Sequence, residues 1–303
     1  MSRPNPAVGA LVMRDGIVVG RGWTQAGGRP HAEAMALAQA GEMARGATLY
    51  VTLEPCAHRS GRGPACADLI AQSGVAAVVG ALEDPDQRTA GAGYARIAEA
   101  GIEVRHIASY EADRSLAGYF AQQRLGRPHV TLKLATSLDG CIALTSGESR
   151  WITGPIARAH VHSRRALSDA ILVGGGTWRA DEPRLDVRLP GLENRTPEQL
   201  ILTRSDAPDG AKAVASPEAV RDLPDVQYLY VEGGARTAAA FLAADLIDRL
   251  ELYRAPILIG NGKPALGDIG LDSLDEAHGR WRLAESAQLG SDRFEAYQRI
   301  RED

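Results

Sequence analysis

The chain is poor in the features that mark membrane, secreted and nucleic-acid-binding proteins. No apolar stretch is long enough to span a bilayer. The apolar run at residues 7–13 is broken by Arg14 and Asp15, so the opening of the chain lacks the basic, apolar and small-residue succession of a secretory signal, and a cytoplasmic location is the default expectation. Positive charge is not in excess. A formal charge of −4 gives no cluster of Lys and Arg with which to displace counterions from phosphates, which argues against nucleic acid and for a small-molecule partner. Cysteine is scarce, and its number, three, is odd, which fits reduced thiols kept for a metal or for packing better than a disulfide framework. There is no internal repeat or low-complexity tract.

What is present is an ordinary globular composition, 45% hydrophobic and 24% charged. A length of 303 residues exceeds what one hydrophobic core needs, so two domains are expected. Residues 8–19 are β-rich and interrupted by Arg14-Asp15-Gly16, the pattern of a hairpin. Helix formers dominate 32–44, and a buried-strand pattern follows at 48–53. Helix 65–72, strand 75–82, helix 94–100 and strand 102–107 continue an α/β alternation, which favours layers around a mostly parallel sheet. Residues 110–125 read as a helix stopped by Gly126-Arg127-Pro128. The expected domains are therefore 1–108 and 128–303, with 109–127 as a linker helix. The second part restarts with strand 130–134 and continues through helix 155–167 and strands 170–173, 199–203 and 226–231. Helix 237–244 and strand 250–259 complete it, and a proline-rich stretch at 183–224 suggests loops and edge strands.

His31-Ala32-Glu33 opens one helix. Pro55-Cys56 ends a strand, and Cys66, ten residues after Cys56, opens the next helix. Positions i and i+2 do not share a helix face, so His31 and Glu33 can converge only on a site off the helix end. That end also suits thiolates, because the positive end of a helix dipole lowers a cysteine pKa. One imidazole and two sulfurs leave a tetrahedral position of a single zinc ion open, which is the mark of a catalytic site; a closed structural site would need a fourth donor, with His58 the nearby candidate. The implied chemistry is attack of an activated water on the amidine-like carbon of an aminopyrimidine. Glu33, left free of the metal, would move the proton from water to the ring nitrogen and then to the departing ammonia. His-x-Glu followed by Pro-Cys is the general pattern of zinc deaminases.

With these residues in place, nearly the whole chain resembles the bifunctional deaminase/reductase family of riboflavin biosynthesis. The likeness is carried in order by residues 4–9 (Pro-Asn-Pro-Ala-Val-Gly), His31-Ala32-Glu33, 52–58 (Thr-Leu-Glu-Pro-Cys-Ala-His), 63–66 (Gly-Pro-Ala-Cys) and Asp84-Pro85. It continues at 133–140 (Lys-Leu-Ala-Thr-Ser-Leu-Asp-Gly), 147–153 (Gly-Glu-Ser-Arg-Trp-Ile-Thr), 169–174 (Asp-Ala-Ile-Leu-Val-Gly), Ala180-Asp181 and 231–234 (Val-Glu-Gly-Gly). The resemblance implies a cytidine-deaminase-like three-layer domain followed by a dihydrofolate-reductase-like domain. It implies loss of the 2-amino group of a phosphoribosyl-aminopyrimidine, followed by NADPH reduction of its ribose to a ribityl chain.

In similar proteins Asn5 and His58 line the pyrimidine pocket. Carried over position by position, Lys133, Ser149, Arg165, Leu185, Arg188 and Glu232 would face the reductase substrate, and Thr136, Trp151, Thr177, Asp181 and the Gly233-Gly234 turn would face the cofactor. Thr24 or Gln25 stands where a substrate-contacting histidine is common, and Cys141 replaces a usual Lys or Arg. Arg165 and Arg188 have the forked geometry that binds phosphate in bidentate fashion, and Gly233-Gly234 would let backbone amides approach a diphosphate at a helix start. Alone, Gly174-Gly175-Gly176 and Gly233-Gly234 read as tight turns. Arg179 stands where a Gly-x-Gly-x-x-Gly fingerprint would end in glycine. The alternatives left open are a zinc deaminase of another nucleotide fused to a reductase, and a zinc-stabilised nucleotide-binding regulator without chemistry. A homo-oligomer is compatible with either.

Overall fold

A computed structural model describes residues 2–58, 61, 63–223 and 225–301. It divides into two units, Met1–Gly126 and Arg127–Asp303. Among the described residues no helix is long and apolar enough to cross a membrane.

The first unit opens with the expected hairpin, β1 (Gly9–Arg14) and β2 (Ile17–Trp23). Asp15 and Gly16 turn it with φ of 51° and 77°, the left-handed pair that matches strand twist in a two-residue hairpin. Then come α1 (Ala32–Ala40), β3 (Thr48–Val51), α2 (Cys66–Ser73), β4 (Ala77–Gly80), α3 (Ala92–Glu99), β5 (Glu103–His106) and α4 (Tyr110–Leu125). The sheet order is β2-β1-β3-β4-β5, with β3, β4 and β5 parallel and β1 antiparallel to both its neighbours. Helix α1 lies directly on β2. A Cβ at Gly20 would stand 2.1 Å from the Ala36 carbonyl oxygen, and one at Gly22 would stand 2.0 Å from that of Ala32, so only glycine permits this approach. The close contact sets where the helix begins and therefore where His31 sits.

Helix α4 departs from its expected role. Leu116, Tyr119 and Phe120 join Leu49, Leu53 and Val78 in the core of the first unit, so it packs there as a wall rather than spanning as a linker. Ser109 caps its start by accepting from Ala112 N at 3.2 Å, and Gly126 closes it with φ of 63°.

The second unit carries β6 (His129–Thr136), β7 (Cys141–Ala143), α5 (Pro155–Ala166), β8 (Ala170–Gly174), α6 (Gly175–Asp181), β9 (Glu198–Leu202), β10 (Ala211–Val214), β11 (Tyr228–Val231), α7 (Ala235–Ala243), β12 (Arg249–Arg254), β13 (Lys263–Pro264), β14 (Trp281–Leu289) and β15 (Asp292–Arg299). An eight-stranded sheet runs β10-β9-β8-β11-β6-β12-β15-β14, parallel from β10 to β12, while β7 and β13 pair separately. Strand β8 is buried on both faces. Ala170 and Leu172 join one core with Phe241 of α7, and Ile171 and Val173 join another with Ala157 of α5.

Three expectations are corrected. The strand at 250–259 ends at Arg254, two residues before Pro256, which has no N–H to give the ladder. The antiparallel pair β14 and β15 was not anticipated. Gly174-Gly175-Gly176 is not a plain turn, because α6 starts on it. The parallel order brings the carboxyl ends of β6, β11, β8, β9 and β10 to one edge, where α/β sheets bind ligands.

Candidate functional site

His31 is the N-cap of α1, Cys56 follows β3, and Cys66 is the first residue of α2, so two helix starts and a strand end meet. Donor atoms of these three residues all lie within 4.8 Å of one another. His31 Nδ1 is 3.3 Å from Cys66 Sγ and 3.6 Å from Cys56 Sγ. Ligands held about 2.0–2.3 Å from one tetrahedral zinc ion stand roughly 3.5 Å apart, so both the spacing and the N/S chemistry fit this metal. The other ring nitrogen, Nε2, faces Asn5 Nδ2 at 3.2 Å, and Asn5 Nδ2 also donates to the Gly28 carbonyl at 3.3 Å. His58 is outside the cluster, with its Nδ1 3.5 Å from Thr89 Oγ1, so among the described residues the set has three donors.

Glu33, in the first turn of α1, is buried and hydrogen-bonds the Cys66 thiol. Burial pushes its carboxyl up to about 7. The hydrogen bond with Cys66, aided by His31, pulls the Cys56 thiol down to about 4 against its burial, while the same bond together with burial pushes Cys66 up. The Cys66 amide also donates to Cys56 Sγ at 3.3 Å.

A cavity of about 430 Å³ opens on this cluster and is lined also by Asn5, Arg29, His58, Asp84, Arg88 and Tyr119. Tyr119 hydroxyl donates to Asp84 Oδ1 at 2.8 Å, which makes α4 part of the cavity wall. Beneath it, Glu54 accepts from the backbone amides of Asp84, Gly91, Gly93 and Tyr94, tying the end of β3 to the start of α3.

The second unit has a larger cavity, about 1140 Å³, on the carboxyl edge of its sheet. Of the residues that the resemblance assigns to substrate and cofactor, Lys133, Ser149, Trp151, Arg165, Thr177, Asp181, Glu232, Gly233 and Gly234 line it. Thr136, Leu185 and Arg188 are not brought to the lining. Thr136 and Leu185 are buried, and Arg188 faces Asp186 at 3.4 Å and His162. Arg165 does not present a free fork to a phosphate. Its Nε and Nη2 donate to the two oxygens of Glu232 at 2.6 and 3.0 Å, and its Nη1 donates to the Asp186 carbonyl at 3.0 Å. Lys133 Nζ stands 3.7 Å from Glu232. Burial alone would push Glu232 up, but Arg165 and Lys133 hold it below the usual carboxylate range.

Sequence reasoning overlooked Asp84 and Tyr119 as wall residues of the first cavity, although Asp84-Pro85 was a recognisable segment. It also overlooked Arg179, Arg204 and Arg236 in the second cavity. Nothing in local spacing marks these arginines, since they meet only where α6, β9 and α7 are brought to one edge.

Together the two sites define a zinc-dependent deaminase joined to a pyridine-nucleotide reductase. Residues 2–82 match the cytidine and deoxycytidylate deaminase zinc-binding region, and residues 128–294 match the RibD C-terminal domain. The chain is 36% identical over 341 positions to the riboflavin biosynthesis protein RibD of Escherichia coli, covering 96% of this chain and 92% of that one. It is 39% identical over 306 positions to that of Mycobacterium tuberculosis, covering 95% and 89%. Among solved structures, Acinetobacter baumannii RibD matches with a TM-score of 0.85 at 34% identity, covering 99% of this chain and 94% of that one. A diaminohydroxyphosphoribosylaminopyrimidine deaminase/5-amino-6-(5-phosphoribosylamino)uracil reductase of Thermotoga maritima matches with a TM-score of 0.86 at 30% identity, covering 99% and 93%. The chain belongs to the RibD family of riboflavin biosynthesis, bifunctional enzymes with a zinc deaminase domain and an NADPH-using reductase domain.

Proposed function

We propose that the first unit deaminates 2,5-diamino-6-(5-phosphoribosylamino)pyrimidin-4(3H)-one and that the second reduces the ribose of 5-amino-6-(5-phosphoribosylamino)uracil to ribityl. The observation that carries this reading is the three-donor cluster with a buried carboxyl, Glu33, against it. His31 Nδ1, Cys56 and Cys66 would hold one zinc ion, which lowers the pKa of a water and makes it nucleophilic at neutral pH. Glu33 would accept one proton of that water and pass it to the ring nitrogen as the oxygen bonds C2, then take the proton of the new C2 hydroxyl and give it to the amino group, which leaves as ammonia as the C–N bond breaks and the C2 carbonyl forms. Asn5 and His58 orient the pyrimidine from the cavity wall.

In the second unit the ribosylamine would open to C1′=N with its ring oxygen released as the 4′-hydroxyl; C1′ would then accept the hydride that bound NADPH supplies and the nitrogen a proton, which gives the ribitylamine. Lys133, Ser149, Arg165 and Glu232 position that sugar, with Arg165 keeping Glu232 ionised and fixed. Trp151, Thr177, Asp181 and the Gly233-Gly234 amides at the start of α7 hold the cofactor. For Thr136, Leu185 and Arg188 the support is the resemblance alone.

The test mixes purified protein with the diamino-pyrimidine nucleotide and NADPH and follows ammonia and NADPH absorbance separately. Ammonia release that precedes one equivalent of NADPH oxidation is expected. Ammonia without NADPH oxidation would overturn the reductase assignment, and NADPH oxidation without ammonia would overturn the order of the two steps.

A further inference from the structure

Glu54 is buried two residues before Cys56 and belongs to the wall of the first cavity. Its carboxylate is filled by backbone. Oε2 accepts from the amides of Asp84 at 3.2 Å and Gly91 at 3.0 Å, and Oε1 from those of Gly93 at 2.8 Å and Tyr94 at 3.3 Å. Gly91, Gly93 and Tyr94 form the start of α3, where the N-cap residue, Gly91, has no side chain to serve the free amides and the helix dipole favours a negative charge. A Cβ at Gly93 would stand 2.0 Å from the Pro55 carbonyl oxygen, so the helix start lies directly on the segment that carries Cys56. The remaining amide, that of Asp84, begins the loop that leads to α3. One carboxylate therefore closes residues 84–91 at both ends.

This loop contributes Asp84, Asp86 and Arg88 to the cavity wall, and its buried Thr89 holds Oγ1 3.5 Å from Nδ1 of His58. It is folded on itself. Asp84 Oδ1 accepts from the Asp86 amide at 3.0 Å, and the Asp86 carbonyl accepts from the amides of Thr89 at 2.8 Å and Ala90 at 2.9 Å, so the loop would shift as one piece if its ends were released. The donor Cys56 has anchors of its own. Its carbonyl accepts from the Ala67 amide at 3.2 Å, its Sγ accepts from the Cys66 amide at 3.3 Å, and the next carbonyl, that of Ala57, accepts from Arg96 at 2.8 Å. Loss of the Glu54 carboxylate would free the wall and leave the donor in place.

We infer that Glu54 is a positioning residue of the deamination step: it sets the wall of residues 84–91, and through Thr89 the ring of His58, against the pyrimidine. This rests on reading the first unit as the deaminase.

The test measures zinc content and the kcat and KM of ammonia release on the full zinc-loaded chain, for wild type, Glu54→Gln, Glu54→Asp and Thr89→Val. A glutamine offers one acceptor oxygen and turns an NH2 group toward N–H donors, so amides at one side of the loop lose their acceptor. Glu54→Gln is expected to raise KM about 10- to 100-fold, with kcat within about threefold and zinc still at one per chain. Glu54→Asp keeps both oxygens and should fall between it and wild type. Thr89→Val removes only the hydroxyl beside His58 and is expected to raise KM about 2- to 10-fold. A merely structural role would lower the melting transition and leave the KM of the folded protein unchanged, which overturns the assignment. Loss of zinc and kcat together at unchanged KM overturns it as well, since Glu54 would then serve the metal donor. Should Glu54→Gln fail to fold, Thr89→Val decides, and an unchanged KM there overturns the proposal. Wild type that releases no ammonia would instead overturn the reading of the first unit itself.

Discussion

Glu33 is the residue whose role is most sharply constrained by its surroundings. It shares the first turn of α1 with the metal donor His31, is buried, and touches Cys66 without belonging to the three-donor cluster. Replacement by the isosteric amide keeps the packing and removes the proton carrier. Glu33→Gln is therefore expected to retain one zinc per chain while ammonia release falls about 10²- to 10⁴-fold, the usual worth of a general acid–base group. Metal analysis and an ammonia assay on the same preparation check it, and deamination at the normal rate would remove Glu33 from the mechanism. At this scale the deaminase site was legible, because ligand chemistry restricts residue type and order so strongly that His31, Cys56 and Cys66 stand out in one sequence. The reductase site was only half legible. Arg165 is recognisable as a cavity residue, but that its fork closes on Glu232 depends on α5 facing the end of β11, which no local pattern encodes.

Elements were legible wherever one physical signal acted alone. The hairpin at Asp15-Gly16, the cap at Ser109 and the stop at Gly126 are local chemistry. Helix α4 was read correctly as a helix but wrongly as a linker, because Leu116, Tyr119 and Phe120 find their partners only in the folded unit. In β15 the buried Phe294 and Ala296 alternate with more exposed neighbours, a period-two signal that polar residues obscure. The same sheet contains a buried ionic junction between elements. Glu251 of β12 accepts from Arg164 of α5 at 2.6 Å and from Arg249 at 3.0 Å, and Tyr230 of β11 donates to it at 3.0 Å. Burial would raise Glu251, but Arg164 and Arg249 hold it below the usual carboxylate range. A carboxyl that is more acidic folded than unfolded adds stability above its unfolded pKa, about 4.3, and loses that contribution as pH falls through the lower folded value. Glu251→Gln is therefore expected to cost about 3–5 kcal/mol at pH 7, since half-buried Arg164 loses its counter-charge and buried Arg249 is left with Glu285, at 2.8 Å, alone. Its stability should also fall less steeply below pH 4 than that of wild type. Denaturant unfolding from pH 7 to pH 3 checks both, and parallel pH curves would remove Glu251 from the acid response.

For the molecule as a whole, the two activities draw on separate sets of residues. All three donors of the proposed zinc site belong to the first unit, and the walls of the cavity proposed for NADPH come from the second. Two-domain organisation was legible from length and from the Gly126-Arg127-Pro128 stop, whereas the allocation of α4 was not. A metal that binds only the folded state stabilises the unit holding it, by an amount that grows with the ratio of its concentration to its dissociation constant. Chelation is accordingly expected to abolish ammonia release and to lower the melting transition of the first unit. NADPH oxidation on the already deaminated substrate should stay within about twofold, because no donor to the metal lines that cavity and so no transition-state contact is lost there. Scanning calorimetry with and without chelator, alongside the two assays, separates these effects, and added zinc should restore ammonia release. A fall of NADPH oxidation in step with ammonia release would show that the reductase site depends on the metal-bound state of the first unit, and the residues at fault would then have to be sought outside the cavity that Lys133 and Glu232 define.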